Sequence, residues 1–485
     1  MSESPQQENE SSVLAGRASD RGRTRPHIVV LGGGFAGLNA AHALRRVDAD
    51  VTLLDKNNYH TFQPLLYQVS TAYLPPEEVG SALRTIFRRQ ANLTVRVGEL
   101  AEVSWAQRVL RCRDNSTIDF DYLILAAGAE TNFFGVPGMR EHAWPLYTLT
   151  DAVRLRRHLL SILERAARNV GPDGTGSGCR PIRVVVVGGG PTGVETAGAL
   201  SSMAHEVVGP AARLGVTLVE AGPRLLSALS PRSSQRALID LCHRRVDVRL
   251  NRSVKAADAC GVTLSGGERI DTDTVIWAAG VQASGLSRAL GLELNRRGQI
   301  VVDPQLRVPD HPGVFAAGDL AAIPDTPGGP PLPMLAPVAI QSGRHAGKQV
   351  ARLIEGQPLQ EFRYRDKGVM AVLGRGDAVA ELPLSRRTTG RYPLQFGGFV
   401  AWLLWLVVHI AYLISFRNRL QVLIDWAWNY FTSRGTGAIL FDGPDPPSCD
   451  VAADESAANA SAPQPRDGSD PLRSQEPGTA RIRPG

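Results

Sequence analysis

The sequence predicts an α/β chain made of two parallel-sheet units built on one pattern, followed by a C-terminal helical segment. Three observations predict it. A short apolar strand runs into a glycine turn at Gly32, the same grammar returns at Gly188, and residues 392–416 carry no Asp, Glu, Lys or Arg.

Composition sets the frame. With 485 residues, 43% of them hydrophobic and 21% charged, the chain is globular and long enough for two or three buried cores. A formal net charge of +6 is modest for this length, and no dense basic stripe of the kind a nucleic-acid binder presents is visible. The cysteines are Cys112, Cys179, Cys242, Cys260 and Cys449, an odd set with no CxxC or CxxxxC pair. That pattern argues against a disulfide scaffold, a zinc site or a dithiol centre, and is expected of reduced thiols in a cytoplasmic-facing protein. Residues 1–25, polar with no apolar core of a secretory signal, and residues 443–485, rich in Pro, Ser, Ala, Asp and Arg, are expected to be disordered tails.

The first unit opens with His27–Leu31, an apolar run of the kind buried parallel strands show. Gly32, Gly34 and Gly37 follow in GxGxxG spacing and lead into a helical stretch, and a second strand, 50–54, ends in Asp55. Each part serves dinucleotide binding: Gly32 permits the tight turn, Gly34 lets backbone approach a pyrophosphate, and Gly37 lets helix and strand pack closely. The helix start supplies free N–H groups and partial positive charge to the phosphates. Asp55 is placed to accept hydrogen bonds from ribose hydroxyls.

The grammar recurs with Gly188, Gly190 and Gly193 after the strand 183–187, and a further strand ends in Glu220. The interval from Gly193 to Glu220 is longer than usual, so the helix or its exit loop is expected to be extended. Glu220 should bind an unphosphorylated ribose diol and repel a 2′-phosphate, which favours NADH; Arg224 nearby leaves room for some NADPH use. Two sites in one chain can hold a prosthetic dinucleotide and an exchanging one together.

Two more strands, 120–126 and 273–278, end in the small-residue turns Ala127–Gly128 and Ala279–Gly280, and 313–317 ends in Gly318–Asp319. This arrangement resembles the pyridine-nucleotide–disulfide reductase superfamily of two-dinucleotide flavoproteins. The resemblance implies that the first site binds FAD and the second NADH, with Gly318 and Asp319 near the flavin ribityl chain. It implies FAD contacts at Gly32, Gly34, Gly37, Asp55, Lys56, Ala127, Gly128, Gly318 and Asp319. NADH contacts would be Gly188, Gly190, Gly193, Glu220, Ala279 and Gly280. The FAD domain is then split into 26–150 and 286–380 around an NADH domain at 151–285, entered through a helix at 149–169 and a flexible loop at 171–178. The superfamily's dithiol is missing, so electrons must leave the flavin another way.

Three stretches narrow the resemblance: Asn58–Val69 (NYHTFQPLLYQV), Val187–Gly198 (VGGGPTGVETAG) and Tyr364–Met370 (YRDKGVM). Over roughly 26–442 the chain is similar to the type II, non-pumping NADH:quinone oxidoreductases. That family places the residue matching Glu195 near nicotinamide and flavin, implying a role in hydride transfer or its gating. Its quinone motif, approximately AQxAxQQ, corresponds here to Ala336–Ser342 (APVAIQS). Gln341 could therefore bond a quinone carbonyl, while Pro337 and Ser342 depart from the pattern. Lys367 reads as a structural cation beside Asp366.

The apolar run Phe396–Phe416 is long enough to span a bilayer, and its aliphatic and Phe residues favour insertion by about 4–7 kcal/mol before polar costs. Trp402, Trp405, His409 and Tyr412 at helical spacing suit one face at an interface instead. Arg386, Arg387, Arg391, Arg417 and Arg419 flank the run and suit anionic headgroups at the cytoplasmic face of the cell membrane. Monotopic attachment through 381–442 is favoured; a single span and a buried helix at a homodimer interface are the alternatives. The expected activity is FAD-dependent NADH oxidation with two electrons passed to a membrane quinone, menaquinone or ubiquinone, without proton pumping. Rival readings are a sulfide:quinone type reductase and a membrane-tethered NADH sensor.

Overall fold

The computed structural model describes residues 24–168, 181–207, 214–326, 328–383 and 394–432. The two expected tails apart from a few flanking residues, the 171–178 loop and Arg386, Arg387 and Arg391 lie outside the described residues.

The chain begins with β1 (His27–Leu31), α1 (Phe35–Ala43) and β2 (Asp50–Asp55). β1 and β2 run in parallel, with His27 opposite Asp50 and Leu31 opposite Leu54. Short helices α2 (Leu66–Ser70) and α3 (Pro76–Val79) precede β3 (Leu93–Val97) and, after an antiparallel meander over 100–119, β4 (Tyr122–Leu125). β5 (Ala129–Thr131) and β6 (Ala143–Pro145) then lead into α4 (Leu149–Arg168). The second unit follows as β7 (Ile182–Val187), α5 (Pro191–Val207), β8 (Leu214–Val219), β9 (Val246–Arg249) and β10 (Thr274–Trp277). β11 (Val281–Ala283) pairs antiparallel with β5, joining the two units beside the small-residue turns at Gly128 and Gly280. β12 (Val314–Ala316) returns to the first sheet, and α6 (Ala336–Ile354) covers it.

The two five-stranded sheets have the same plan. One runs β12-β4-β1-β2-β3 and the other β6-β10-β7-β8-β9, all strands parallel. Their central strands are Val- and Ile-rich and buried on both faces, as parallel strands flanked by helices must be. The second sheet is inserted between β4 and β12 of the first, although β6 joins it from within 26–150. α6 lies close on α1 because glycine faces the contact. A Cβ at Gly343 would stand 2.0 Å from the Ala36 carbonyl oxygen, and one at Gly347 2.5 Å from that of Ala40.

The C-terminal region is an antiparallel sheet, β13 (Val369–Gly374), β14 (Asp377–Leu382) and β15 (Leu394–Gly398), followed by α7 (Phe399–Tyr412) and α8 (Phe416–Thr432). The sheet crosses residue 380 and packs on the second unit: a Cβ on Gly198 of α5 would sit 2.2 Å from the Leu373 carbonyl oxygen.

The alternative of a single span around Phe396–Phe416 is corrected here. Phe396 lies in β15, α7 has 14 residues, and α8 starts at Phe416. At 1.5 Å per residue α7 reaches roughly 21 Å, short of the ~30 Å hydrocarbon core. Among the described residues no helix is long and apolar enough to cross a membrane. Arg419 ends α7, donating to the carbonyls of Leu413 (2.6 Å) and Ala411 (2.9 Å). The run does not make one helix because Leu413 turns extended after α7 (φ −61°, ψ 133°), and each helix buries one face: Trp405 of α7 is 1% exposed and Trp426 of α8 8%.

Candidate active site

Both glycine turns have one geometry. Gly32 and Gly188 adopt φ of 102° and 113°, a region that disfavours any side chain. Their N–H groups donate to Leu54 (2.7 Å) and Val219 (2.8 Å), tying each turn to the second strand of its sheet. A Cβ on Gly37 would lie 1.7 Å from the Gly32 carbonyl oxygen, and one on Gly193 1.8 Å from that of Gly188. At Gly34 and Gly190 a Cβ would meet nothing within 4 Å, so open space fronts the middle glycine of each turn. These are cradles into which a phosphate pair can come against bare backbone.

The acids brace the cradles. Asp55 accepts from Gly33 N–H (2.6 Å) and Asn57 N–H (2.6 Å), and Glu220 from Gly189 N–H (2.6 Å) and Gly222 N–H (2.6 Å). Each carboxylate retains lone pairs for a ribose diol. Burial pushes the Asp55 carboxyl up, against the two backbone N–H bonds that favour its charge. Arg224 donates to the carbonyls of Leu229 (2.7 Å) and Ser227 (2.8 Å), which hold its guanidinium to the loop after β8. The long interval before Glu220 is taken up by α5, with 17 residues against 9 in α1.

A cavity of about 460 Å³ opens between the units. The first residues of both helices, Phe35 and Pro191, line it, as do Thr131, Gly280, Asp319 and Glu195. Asp319 Oδ1 is buried without a hydrogen-bond partner, and burial raises its carboxyl to about 6. A buried acceptor of this kind requires a donor such as a sugar hydroxyl. Gly128 takes φ 70° with open space before it, whereas Gly280 faces the Phe134 ring. The other wall comes from Ala336, Pro337 and Ile340 at the start of α6, from Lys367–Met370, and from Val408, His409 and Tyr412 on α7.

Glu195, in the first turn of α5, is 8% exposed and accepts from the Val372 N–H (3.1 Å). Burial raises its carboxyl to about 8; the Val372 bond opposes the rise, and the Trp405 indole opposes it more weakly.

Gln341 is not among the residues that line the cavity. Its amide donates to the Arg365 carbonyl (2.9 Å) and accepts from the Arg365 N–H (3.1 Å), so both ends serve a loop and Ile340 lines the cavity instead. Ser342, the departure from the family pattern, accepts from Gly318 N–H (3.0 Å) and thereby fixes the turn that carries Asp319. Lys367, read from sequence as structural, lines the cavity.

Two histidines that the sequence reading noted without a site role lie at the site. His60 is bonded through Nδ1 to the Gly33 carbonyl (2.9 Å), and burial lowers it to about 4, so a neutral ring holds the first cradle. His409 bonds the Trp405 carbonyl through Nδ1 (2.7 Å), is likewise lowered to about 4 by burial, and faces the cavity. The only hint was the HxFQP sequence at 60–64 for the first; nothing local marks the second. Cys112 and Cys242 carry free thiols and neither lines the cavity. Cys260 is disulfide-bonded, contrary to the expectation of reduced thiols throughout.

Two matched cradles facing one cavity define a two-dinucleotide oxidoreductase. The family model of the pyridine nucleotide-disulphide oxidoreductases matches residues 26–343, and the NDH2 C-terminal domain matches residues 367–435. The chain belongs to the type II NADH:quinone oxidoreductases. It is 37% identical to the type II NADH:quinone oxidoreductase NdhA of Mycobacterium tuberculosis over 86% of this chain and 89% of that one. A second protein of that organism, the type II NADH:quinone oxidoreductase Ndh, is 34% identical over 84% and 89%. The fold matches the NDH2 of Plasmodium falciparum solved with NADH at a TM-score of 0.73 and 20% identity, over 86% of this chain and 100% of that one.

Proposed function

We infer that this chain oxidises NADH at a bound FAD and passes the two electrons to a membrane quinone. One observation carries the reading: the first residues of the helices that follow the two braced glycine turns, Phe35 and Pro191, line a single cavity to whose far wall the C-terminal helix α7 contributes. The FAD cradle would be Gly32, Gly34 and Gly37 with Asp55 and Lys56, and Ala127, Gly128, Gly318 and Asp319 would hold its ribityl and ring end. The unpartnered Asp319 Oδ1 and the open space before Gly34 fit that group. NADH would take Gly188, Gly190, Gly193 and Glu220, with Ala279 and Gly280 beside its nicotinamide ribose. When bound, FAD supplies a hydride acceptor and a two-electron donor.

The chain's own residues then bind, orient and exclude water. The starts of α1 and α5 direct free N–H groups and partial positive charge toward the pyrophosphates. Phe35, Phe62, Tyr67 and Leu66 form apolar cavity walls that keep bulk water from the reacting faces. Lys367 offers a cation to a quinone oxygen gaining charge. His409, donating Nδ1–H to Trp405, keeps its Nε2 lone pair as an acceptor for a quinol hydroxyl.

The outer faces of α7 and α8 support attachment to lipid without a span. Phe399, Val400, Leu403 and Val407 are exposed on α7, and Leu420, Leu423, Ile424, Trp428 and Phe431 on α8. An apolar face of this size rimmed by Arg417 seats in a headgroup layer. The reading is tested by steady-state NADH oxidation with a soluble menaquinone or ubiquinone analogue and purified, FAD-loaded protein. Turnover with ferricyanide but none with either quinone would leave a flavin-dependent NADH oxidase of another acceptor class.

A further inference from the structure

Phe134 is an exposed aromatic residue set on a turn of the site. It is 62% exposed, more than any other large hydrophobic side chain among the described residues ahead of α7. Its backbone takes φ 52°, a left-handed conformation that is costly for a bulky residue and free for glycine. Packing does not account for it. The neighbouring Phe133 does the packing, against the core around Val185, Val187 and Trp277, with its ring centroid 5.7 Å from that of Trp277. The Phe134 ring stands further off, at 6.3 Å.

Three hydrogen bonds hold that ring in place, all through Asn132. β5 pairs with β11 so that Thr131 lies opposite Val281, which sets Asn132 beside Gly280. Asn132 N–H donates to the Gly280 carbonyl (3.1 Å), and its own carbonyl accepts from the Trp277 indole N–H (2.8 Å). Its side-chain Oδ1 accepts from Phe134 N–H (2.8 Å). The first unit thus reaches across and fixes an aromatic ring on a turn of the second. The tip of the ring meets Gly280, where a Cβ would stand 2.7 Å from Phe134 Cζ and 2.9 Å from Cε2. The matching turn of the first unit carries no such ring, since a Cβ on Gly128 would meet nothing within 4 Å.

Trp277, Ala278 and Gly280 line the large cavity, as do Pro191 and Thr192 at the start of α5, while Phe134 is not part of its wall. A dinucleotide with its pyrophosphate on the open cradle at Gly190 and its nicotinamide in the cavity has to pass the Gly280 turn. We propose that Phe134 clamps NADH at that passage: its ring covers the nicotinamide ribose as the nucleotide enters the cavity, and Asn132 holds the ring ready. Ribose C–H groups and the uncharged dihydronicotinamide ring then bury apolar surface against the phenyl ring. Because Asn132 already fixes the Phe134 backbone, little ordering is left to offset that gain. This proposal rests on the reading of the second cradle as the NADH site.

The test is calorimetric titration of FAD-loaded full-length protein with NAD+ and with ADP, which carries the adenosine and pyrophosphate but no nicotinamide riboside. Phe134→Gly removes the ring and suits φ 52°, so its Tm should be no lower than that of wild type. Its affinity for NAD+ should fall about tenfold, as expected when part of a Phe side chain is no longer buried, and its affinity for ADP should stay within about twofold. Phe134→Tyr keeps the ring and should bind NAD+ within about twofold of wild type. In stopped-flow flavin reduction the apparent Kd for NADH should rise in Phe134→Gly by the same factor as that for NAD+. Equal losses for NAD+ and ADP, unchanged NAD+ affinity, or a lowered Tm in Phe134→Gly would overturn the proposal, as would a loss in Phe134→Tyr as large as in Phe134→Gly. A Glu220→Ala control locates the failure: if it weakens neither NAD+ nor ADP, the second cradle is not the nucleotide site, and the parent reading falls with the proposal.

Discussion

Glu220 shows how much one residue can carry. It braces Gly189 and Gly222 and closes the second cradle, so Glu220→Ala removes charge-assisted bonds of about 1.5–3 kcal/mol. KM for NADH should rise roughly tenfold to a hundredfold while NADPH loses less; an unchanged ratio of kcat/KM for the two would contradict the assignment. Glu195 makes a second, thermodynamic prediction. Its folded carboxyl is raised from 4.5 to about 8, so the folded state binds the extra proton across that window. Its contribution to stability is complete below 4.5 and is lost as pH rises through about 8. Glu195→Gln should flatten the fall of Tm over that range, and an unaltered Tm profile would show the carboxyl to be ordinary. Glycine and acid spacings were legible because they are local, set by a turn and the strand beside it. Gln341 was not, because its amide is claimed by the backbone of Arg365, 24 residues on. His409 becomes visible only once α7 docks.

At the scale of elements, α7 and α8 explain why the apolar run was read too simply. Hydropathy sums both faces, but here the inner face fills the core and the outer face is free. Trp405 and Trp426 pack with their ring centroids 5.4 Å apart and close the back of the active site. Trp405→Ala should therefore cost about 3–5 kcal/mol of stability, read by denaturant unfolding; a cost below 1 kcal/mol would show the helix to be peripheral. The outer face separates cleanly. Leu403→Lys with Val407→Lys should cut binding to anionic vesicles at least about tenfold, since each side chain is worth about 1.5–3 kcal/mol when buried, while ferricyanide-linked NADH oxidation persists. Vesicle binding as tight as wild type would reject the face. The strands and helices of the two nucleotide units were legible from apolar runs and glycine turns. The sheet β13–β15 was not, since its partner strands are separated by residues 383–393 and its docking depends on Gly198 of another element.

For the molecule as a whole, inserting one parallel sheet between two parts of another brings the two glycine cradles together. β5 and β11 lock that meeting with paired backbone at the cofactor turns. A C-terminal layer then closes the shared cavity and presents exposed apolar residues to the outside. NADH would enter against the second unit and quinone from the α7 side, so the two substrates need not displace each other completely. The pattern of two cradles was readable in sequence, whereas the cavity, built from segments between residues 35 and 412, was not. The most direct measurement is anaerobic. Purified, FAD-loaded protein is mixed with NADH, then with a soluble quinone analogue, and the flavin absorbance is followed. The account predicts bleaching by NADH and full recovery on quinone addition, with one quinol formed per NADH consumed. Bleaching that ferricyanide reverses and quinone does not would contradict it.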